Sequence, residues 1–453
     1  MGRQREDEAL VIDTELYVEK LVETSKSAAG YGNVLQAMDS LPNAVWILFG
    51  IKFLESFSFF VLSYGLVIFL SGDFGLSDSQ ASWAYGIYGT LVSVYGLAMG
   101  VVIDSLGVRQ SLLVGLTILI ASRLVMATTT SLLVLLVMLG TLLPVGAAMT
   151  LPLLQIGIKR YTTDRNRSVA FTGLYVVMNL SAMTAAPCID AFHRWMPVSG
   201  HLMPGVYLTP YRMLIIAGGL LSCASLYLTY RYVKADDPNS PRPAEGASLA
   251  AIQYVLKSKI FWRFTLLAIL LVGVRSIYRH LDATFPKFML RNYGADAPYG
   301  SLIALNPLCV VLVAVLAAPL AMRFHPVPMI IFGSFISAIA PFALAAGHTY
   351  VNAVVFVLIL SVGEGLWSPR MYEYSVMIAE KGREGVYTAL AAAPMFLSTL
   401  LTGATSGVLL ERYSPEQGER RPEIMWAIIG LISFASPVLM LVLRNVIERP
   451  IRN

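Results

Sequence analysis

Charge is what this chain has least of. Only 13% of its 453 residues are Asp, Glu, Lys or Arg, against 56% hydrophobic, and its mean hydropathy is +0.67. A soluble domain carries about a quarter charged residues, so a water-exposed globule is excluded and repeated crossing of a bilayer is implied. Cysteine is scarcer still. Cys188, Cys223 and Cys309 all lie in or beside apolar segments, which excludes a disulfide framework and a thiolate metal site. Residues Met1 to Asp39 are polar and contain no apolar run, so no cleavable signal peptide is expected and the first span has to serve as the insertion signal. There is no G-x-x-x-x-G-K-S/T loop, no H-E-x-x-H and no G-x-S-x-G elbow, which excludes a P-loop ATPase, a zincin metalloprotease and an α/β-hydrolase. Neither an enzyme nor a cofactor is expected. The net charge of +5 would suit nucleic acid, but the basic residues fall between apolar spans with no interleaved aromatics. No nucleic-acid partner is expected, and those residues read as topology signals.

Apolar runs are abundant. Six fall at 42–70, 82–103, 112–128, 132–158, 169–189 and 211–233, and six more at 260–284, 301–322, 327–347, 350–378, 386–410 and 424–446. Between the two sets lies a polar, proline-bearing stretch. The expected fold is therefore an all-α membrane protein: a cytosolic tail at 1–41, a six-helix bundle at 42–233, a linker at 234–259, a second bundle at 260–446 and a tail at 447–453. Leu10, Val11, Leu16, Val18, Leu21 and Val22 alternate with acids in the first tail, as in an amphipathic surface helix or a flexible segment. Arg109, Lys159, Arg160, Arg165, Arg167, Arg323, Lys381 and Arg383 gather on one side of the membrane, which places both termini in the cytosol, in the plasma membrane or an endomembrane. Trp46, Trp83, Trp262 and Trp426 are expected as interfacial anchors, with the bilayer as partner and a monomer as the working unit.

Charges inside the spans are the candidates for function, since a charge at that depth costs roughly 2.5 to 3.5 kcal/mol unless a partner or water meets it. Glu364 stands in the tenth run, above Ser368-Pro369, where proline is expected to weaken the helix; pairing with Arg370 is the structural alternative to a binding role. In the first run Lys52 and Glu55 are three apart and can form an ion pair. In the seventh, Arg275, Arg279 and Asp282 share one face beside His280; they either bind an anionic group in a cavity or form a gate at the water-facing end. Arg123 lies near the end of the third run and is expected to snorkel to the interface. Tyr64, Tyr85, Tyr88 and Tyr95 are either cavity or packing residues.

Between the second and third runs comes Gly100-Val-Val-Ile-Asp104-Ser-Leu-Gly107-Val-Arg109, which resembles the G-x-x-x-D-R-x-G-R-R/K signature of the major facilitator superfamily at Gly100, Asp104, Gly107 and Arg109. Gly363-Glu364-Gly-Leu-Trp-Ser-Pro369, Leu305-Asn306-Pro307 and Tyr175-Val-Val-Met-Asn179-Leu-Ser181 are similar to stretches of the proton-dependent oligopeptide transporters. The resemblance implies alternating access by two bundles, with Glu364, Asn179 and Asn306 meeting a di- or tripeptide or amino acid. Arg275 and Arg279, read from their own spacing, are expected to supply the cations of that site. Glu55 stands at an acid the family uses in proton coupling, Lys52 and Asp282 are expected to take part with it, and the Asp104 loop is expected in conformational control. The first run departs from the family's E-x-x-E-R-F-x-Y-Y: only Glu55 and Phe57 match, Lys52 replaces the first acid, and the arginine is missing. The fourth run lacks the family's buried lysine. An uncoupled facilitator of amino acids or organic anions, and a substrate sensor on the same fold, are the alternatives.

Overall fold

The computed structural model describes residues 38–195, 201–203, 206–234, 257–321, 324, 326–377 and 384–448. The expected amphipathic segment near the amino terminus, nearly all of the linker and the last five residues lie outside the described residues. Helix α1 (Asn43–Phe74) starts directly after Pro42 and stops at Gly75, where the Gly75 N–H donates to the Ser71 carbonyl at 3.1 Å and a φ of +67° turns the Leu76 N–H back to the Leu70 carbonyl at 3.3 Å. Helices α2 (Asp78–Leu106), α3 (Val108–Thr128), α4 (Leu132–Gly140) with α5 (Leu142–Tyr161), α6 (Asp164–Trp195) and α7 (Pro210–Tyr232) complete the first six spans. Thr209 caps α7 through its hydroxyl and Pro210 occupies the first turn, where no backbone donor is needed.

The second six are α8 (Lys259–Leu270) with α9 (Val272–Ala283), then α11 (Tyr299–Ala321), α12 (Pro326–Ala345), α13 (Tyr350–Met377), α14 (Glu384–Tyr413) and α15 (Pro422–Val442). Short helices α10 (Phe285–Tyr293) and α16 (Arg444–Glu448) lie outside them. Among the described residues nine helices are long and apolar enough to cross a membrane, and the α8–α9 pair adds a tenth. The 29-residue α2 and the 30-residue α14 make up the twelve. Among the described residues the strands are β1 (His201–Met203) and β2 (Val206–Tyr207), paired antiparallel in the connection between α6 and α7.

Helix α13 continues through Pro369 to Met377. A bend lies in the seventh span, where α8 and α9 meet at 46° around Leu271. Beside that bend, Ser276 donates its hydroxyl to the Gly273 carbonyl at 2.7 Å, supplying a partner where the backbone ladder is disturbed. The expectation for Trp426 is corrected. Trp46, Trp83 and Trp262 are exposed as anchors should be, whereas Trp426 is fully buried among Phe285, Phe288 and Phe356, with ring centroids 5.1 to 6.4 Å away.

The bundles meet where α2 lies along α14 and α6 lies along α11. The end of the molecule carrying Gly75 is closed by charged contacts between bundles: Asp78 of α2 accepts from Lys287 at 2.5 Å and from Arg291 at 2.7 and 2.9 Å. At the same end Tyr211 and Tyr299 share a hydrogen bond of 2.9 Å.

Candidate functional site

A cavity of about 490 Å³ lies between the bundles, lined by residues of both. Arg275 and Arg279 line it, so the cluster in the seventh span belongs to the interior and the closure of the Gly75 end falls to Lys287 and Arg291 instead. Glu364 enters from α13. The amide of Asn306 on α11 donates to its Oε2 at 3.1 Å and to Ser361 Oγ at 3.1 Å, so the eighth and tenth spans hold one another at the site. No pair with Arg370 forms. That guanidinium reaches the Phe324 carbonyl at 3.3 Å and Met329 Sδ at 3.4 Å.

Asp282 accepts from three directions: Arg279 Nη1 at 3.0 Å, Tyr85 Oη at 2.8 Å and Ser63 Oγ at 3.3 Å. The last two come from the first bundle. One carboxylate thus joins both bundles at the cavity, and Arg279 keeps more than a third of its side chain exposed there. Arg275 lies 5.2 Å above the ring of Trp367, a cation–π contact that holds the guanidinium against a rigid wall. That wall is fixed in turn by Ser337 of α12, whose hydroxyl meets Trp367 Nε1 at 3.2 Å and Tyr278 Oη at 3.1 Å. Asn179 also faces the cavity, with its amide donating to the Tyr175 carbonyl at 2.9 Å. His280 is buried against Thr284 at 2.7 Å and does not line the cavity.

The first span differs from expectation. Glu55 is fully buried, but its partner is Arg123 of α3, at 3.5 Å, and Ser222 of α7 donates to its two oxygens at 2.8 and 3.1 Å. Arg123 also bonds the Ser222 hydroxyl and reaches the Gly218 carbonyl at 3.3 Å. It does not snorkel, because burial beside a carboxylate satisfies it better than an apolar path to the interface. Lys52 is buried and makes no ion pair among the described residues. Glu55 lies off the central cavity, beside a void of about 10 Å³ that shares Phe59 and Tyr88 with it. From the sequence Arg123 reads as an interfacial residue, because one charge in a long apolar run carries no sign of its partner. The only available signal was that Glu55 lacked the arginine of the resembling motif.

In the loop after α2, Gly107 has φ of +79°, a conformation that favours glycine, and Arg109 donates to the Tyr230 carbonyl at 2.8 Å while lying over its ring. The side chains of residues 101–105, Asp104 among them, lie outside the described residues.

A family model described as Major Facilitator Superfamily matches residues 48–297 and 277–453. The chain belongs to the major facilitator superfamily. No curated protein sequence matches this transporter. Among solved structures, its fold is similar to that of a POT family transporter in complex with 5-aminolevulinic acid, at TM-score 0.73 and 13% identity over 90% of this chain and 97% of that one. A POT family transporter in complex with a thioalcohol conjugated peptide matches at TM-score 0.71 and 15% identity, over 91% and 100%. A third structure, described in terms of substrate recognition in proton dependent oligopeptide transporters, gives 0.71 and 16% over 90% and 100%. At these identities the likeness is one of fold.

Proposed function

We propose that this major facilitator transporter is a secondary active carrier of a small zwitterionic solute, a di- or tripeptide or an amino acid, driven by protons. One observation carries the reading: a single cavity between the bundles presents the carboxylate of Glu364, steadied by Asn306, together with the guanidinium groups of Arg275 and Arg279. A solute with an ammonium at one end and a carboxylate at the other satisfies both, because each buried charge needs a counter-charge and a guanidinium fork matches two carboxylate oxygens. The cavity volume suits a solute of a few residues. Solved relatives in fold hold an amino acid and a peptide conjugate, in keeping with this class.

Alternating access is the mode of action we assign, in keeping with two bundles around one cavity. Residues 42–233 and 260–446 act as two rocking bodies joined by the 234–259 linker, with both termini in the cytosol and the Gly75 end facing out. In that orientation the closed Gly75 end shuts the cavity from the outside. Asn179 meets the solute from the first bundle, and the Gly100, Asp104, Gly107 and Arg109 loop biases the equilibrium from the cytosolic side. Glu55 with Arg123, Lys52 a turn away, and Asp282 are the groups we assign to proton movement. Each lies where charge is costly, so a change of protonation favours one arrangement of the bundles over the other.

Asp282 competes with the solute for Arg279. In Asp282→Asn that competition is removed, and a carboxylate-bearing ligand is expected to bind about tenfold tighter while turnover falls, because release again needs Asp282 to recapture the arginine. Equilibrium binding and uptake measured on the same preparation check both halves; weaker binding would show that Asp282 holds Arg279 in place for the solute instead.

The proposal is tested by uptake into proteoliposomes under an imposed pH gradient, comparing dipeptides, amino acids and organic anions. Accumulation of zwitterions above equilibrium is expected. Equilibration without accumulation would make the protein an uncoupled facilitator, and binding without uptake would make it a sensor.

A further inference from the structure

Two contacts at the Gly75 end are built alike although their residues are far apart in the chain. On one seam Asp190, near the end of α6, accepts from the backbone N–H of Gly300 at 2.9 Å, the N–H of Ser301 at 2.6 Å and the hydroxyl of Ser301 at 2.7 Å, all at the start of α11. On the other seam Glu411, near the end of α14, accepts from the N–H of Ser79 at 2.8 Å and its hydroxyl at 2.7 Å, at the start of α2. The helices involved are the fifth with the eighth span and the eleventh with the second. Moving six spans along the chain converts one pair into the other.

The likeness extends to the residues that let the carboxylate reach. Four positions before Asp190 is Ala186, and four before Glu411 is Gly407. A Cβ added at Gly300 would collide with the Ala186 carbonyl, and one added at Gly407 would collide with the Ser79 backbone, so on each seam the two helices touch one turn below the acid. Ala186-Pro-Cys-Ile-Asp190 and Gly407-Val-Leu-Leu-Glu411 therefore read as one pattern, a small residue and an acid one turn apart, each facing a serine at the opening of a helix from the other bundle.

From this geometry we infer that the protein closes its Gly75 end with a symmetric pair of carboxylate latches, each bundle contributing one acid that caps a helix of the other. The first N–H groups of a helix have no partner within it and carry partial positive charge, so a carboxylate there is well matched. When the bundles tilt apart at this end, both acids leave both helices together, and the serine N–H and hydroxyl groups turn to water. The Asp78 contacts with Lys287 and Arg291 join charge to charge at the same end. The latches differ in joining charge to backbone, so their strength does not depend on a second titrating side chain.

This inference rests on the alternating-access reading, but its test needs no solute. Spin labels at Thr130→Cys and Gln417→Cys, both exposed at the Gly75 end, report the distance between bundles when Cys188, Cys223 and Cys309 are replaced by alanine. Loss of a cap is worth about a factor of five in an equilibrium constant. Asp190→Ala and Glu411→Ala are each expected to raise the ratio of long to short distances about fivefold, and the double variant about 25-fold. Asp190→Asn and Glu411→Gln keep an accepting oxygen and fold most readily, and each is expected to give a smaller shift of the same sign. An unchanged distance distribution in the double variant overturns the latches while leaving uptake to judge the function. A shift from only one of the two acids overturns their equivalence.

Discussion

Replacing Arg123 by methionine is expected to cost this transporter more stability than any other single change at a charged residue of its first bundle. Glu55 is sealed in the interior with Arg123 and Ser222 as its polar company, and removing one partner of a buried ion pair typically costs about 3 to 5 kcal/mol because the remaining charge is left uncompensated. Glu55→Gln leaves the opposite charge behind and is expected to be costly for the same reason. The double variant Arg123→Met with Glu55→Gln removes both charges and is expected to recover most of the lost stability, measured as the midpoint of thermal unfolding in detergent. Proton-driven accumulation should not recover with it, because the proton-carrying group is gone, whereas exchange of solute across the membrane should persist. A double variant that melts as low as Arg123→Met would show that the pair is not the source of the loss. One that still accumulates solute would remove Glu55 from coupling.

Glu364→Gln is expected to weaken binding of a zwitterionic solute by about one to two orders of magnitude. The estimate follows from a charge-assisted hydrogen bond in a desolvated site, about 1.5 to 3 kcal/mol. Glutamine keeps the shape of the side chain and can still accept from Asn306, so the α11–α13 contact survives and folding should be little affected. The loss should appear in affinity for ligands with a free ammonium and be nearly absent for organic anions, which use Arg275 and Arg279 alone. Direct binding to the purified protein checks this, and an equal loss for both ligand classes would assign Glu364 to shaping the cavity.

Much of this arrangement is legible in the sequence because a bilayer leaves few choices. The twelve apolar runs appear as twelve helical spans, and the three-residue step from Arg279 to Asp282 appears as an ion pair on one helical face. Glu364 and Asn306, 58 positions apart, were both marked by resemblance and meet at 3.1 Å. What the sequence could not show is which partner a buried charge chooses across helices. Lys52 was the near neighbour of Glu55 along the chain, yet Arg123 and Ser222, 68 and 167 positions away, are near in space. Trp426 illustrates the same gap: a tryptophan at a span end reads as an anchor until neighbouring aromatics are seen to enclose it. Pro369 shows the converse. Its rule is local, but helix packing in a membrane tolerates a missing donor, and the bend of the seventh span occurs at Leu271, where no proline stands.

The claim that a zwitterion bridges Glu364 and the two arginines is tested most directly by a double cycle of protein and ligand. Wild-type protein and Glu364→Gln are each titrated with a dipeptide and with the same dipeptide carrying an acetylated amino group. Acetylation is expected to weaken binding to the wild type by about one to two orders of magnitude and to cost Glu364→Gln almost nothing further, since the two changes remove one and the same contact. Additive losses around the cycle would contradict the account, because the ammonium would then be meeting a group other than Glu364.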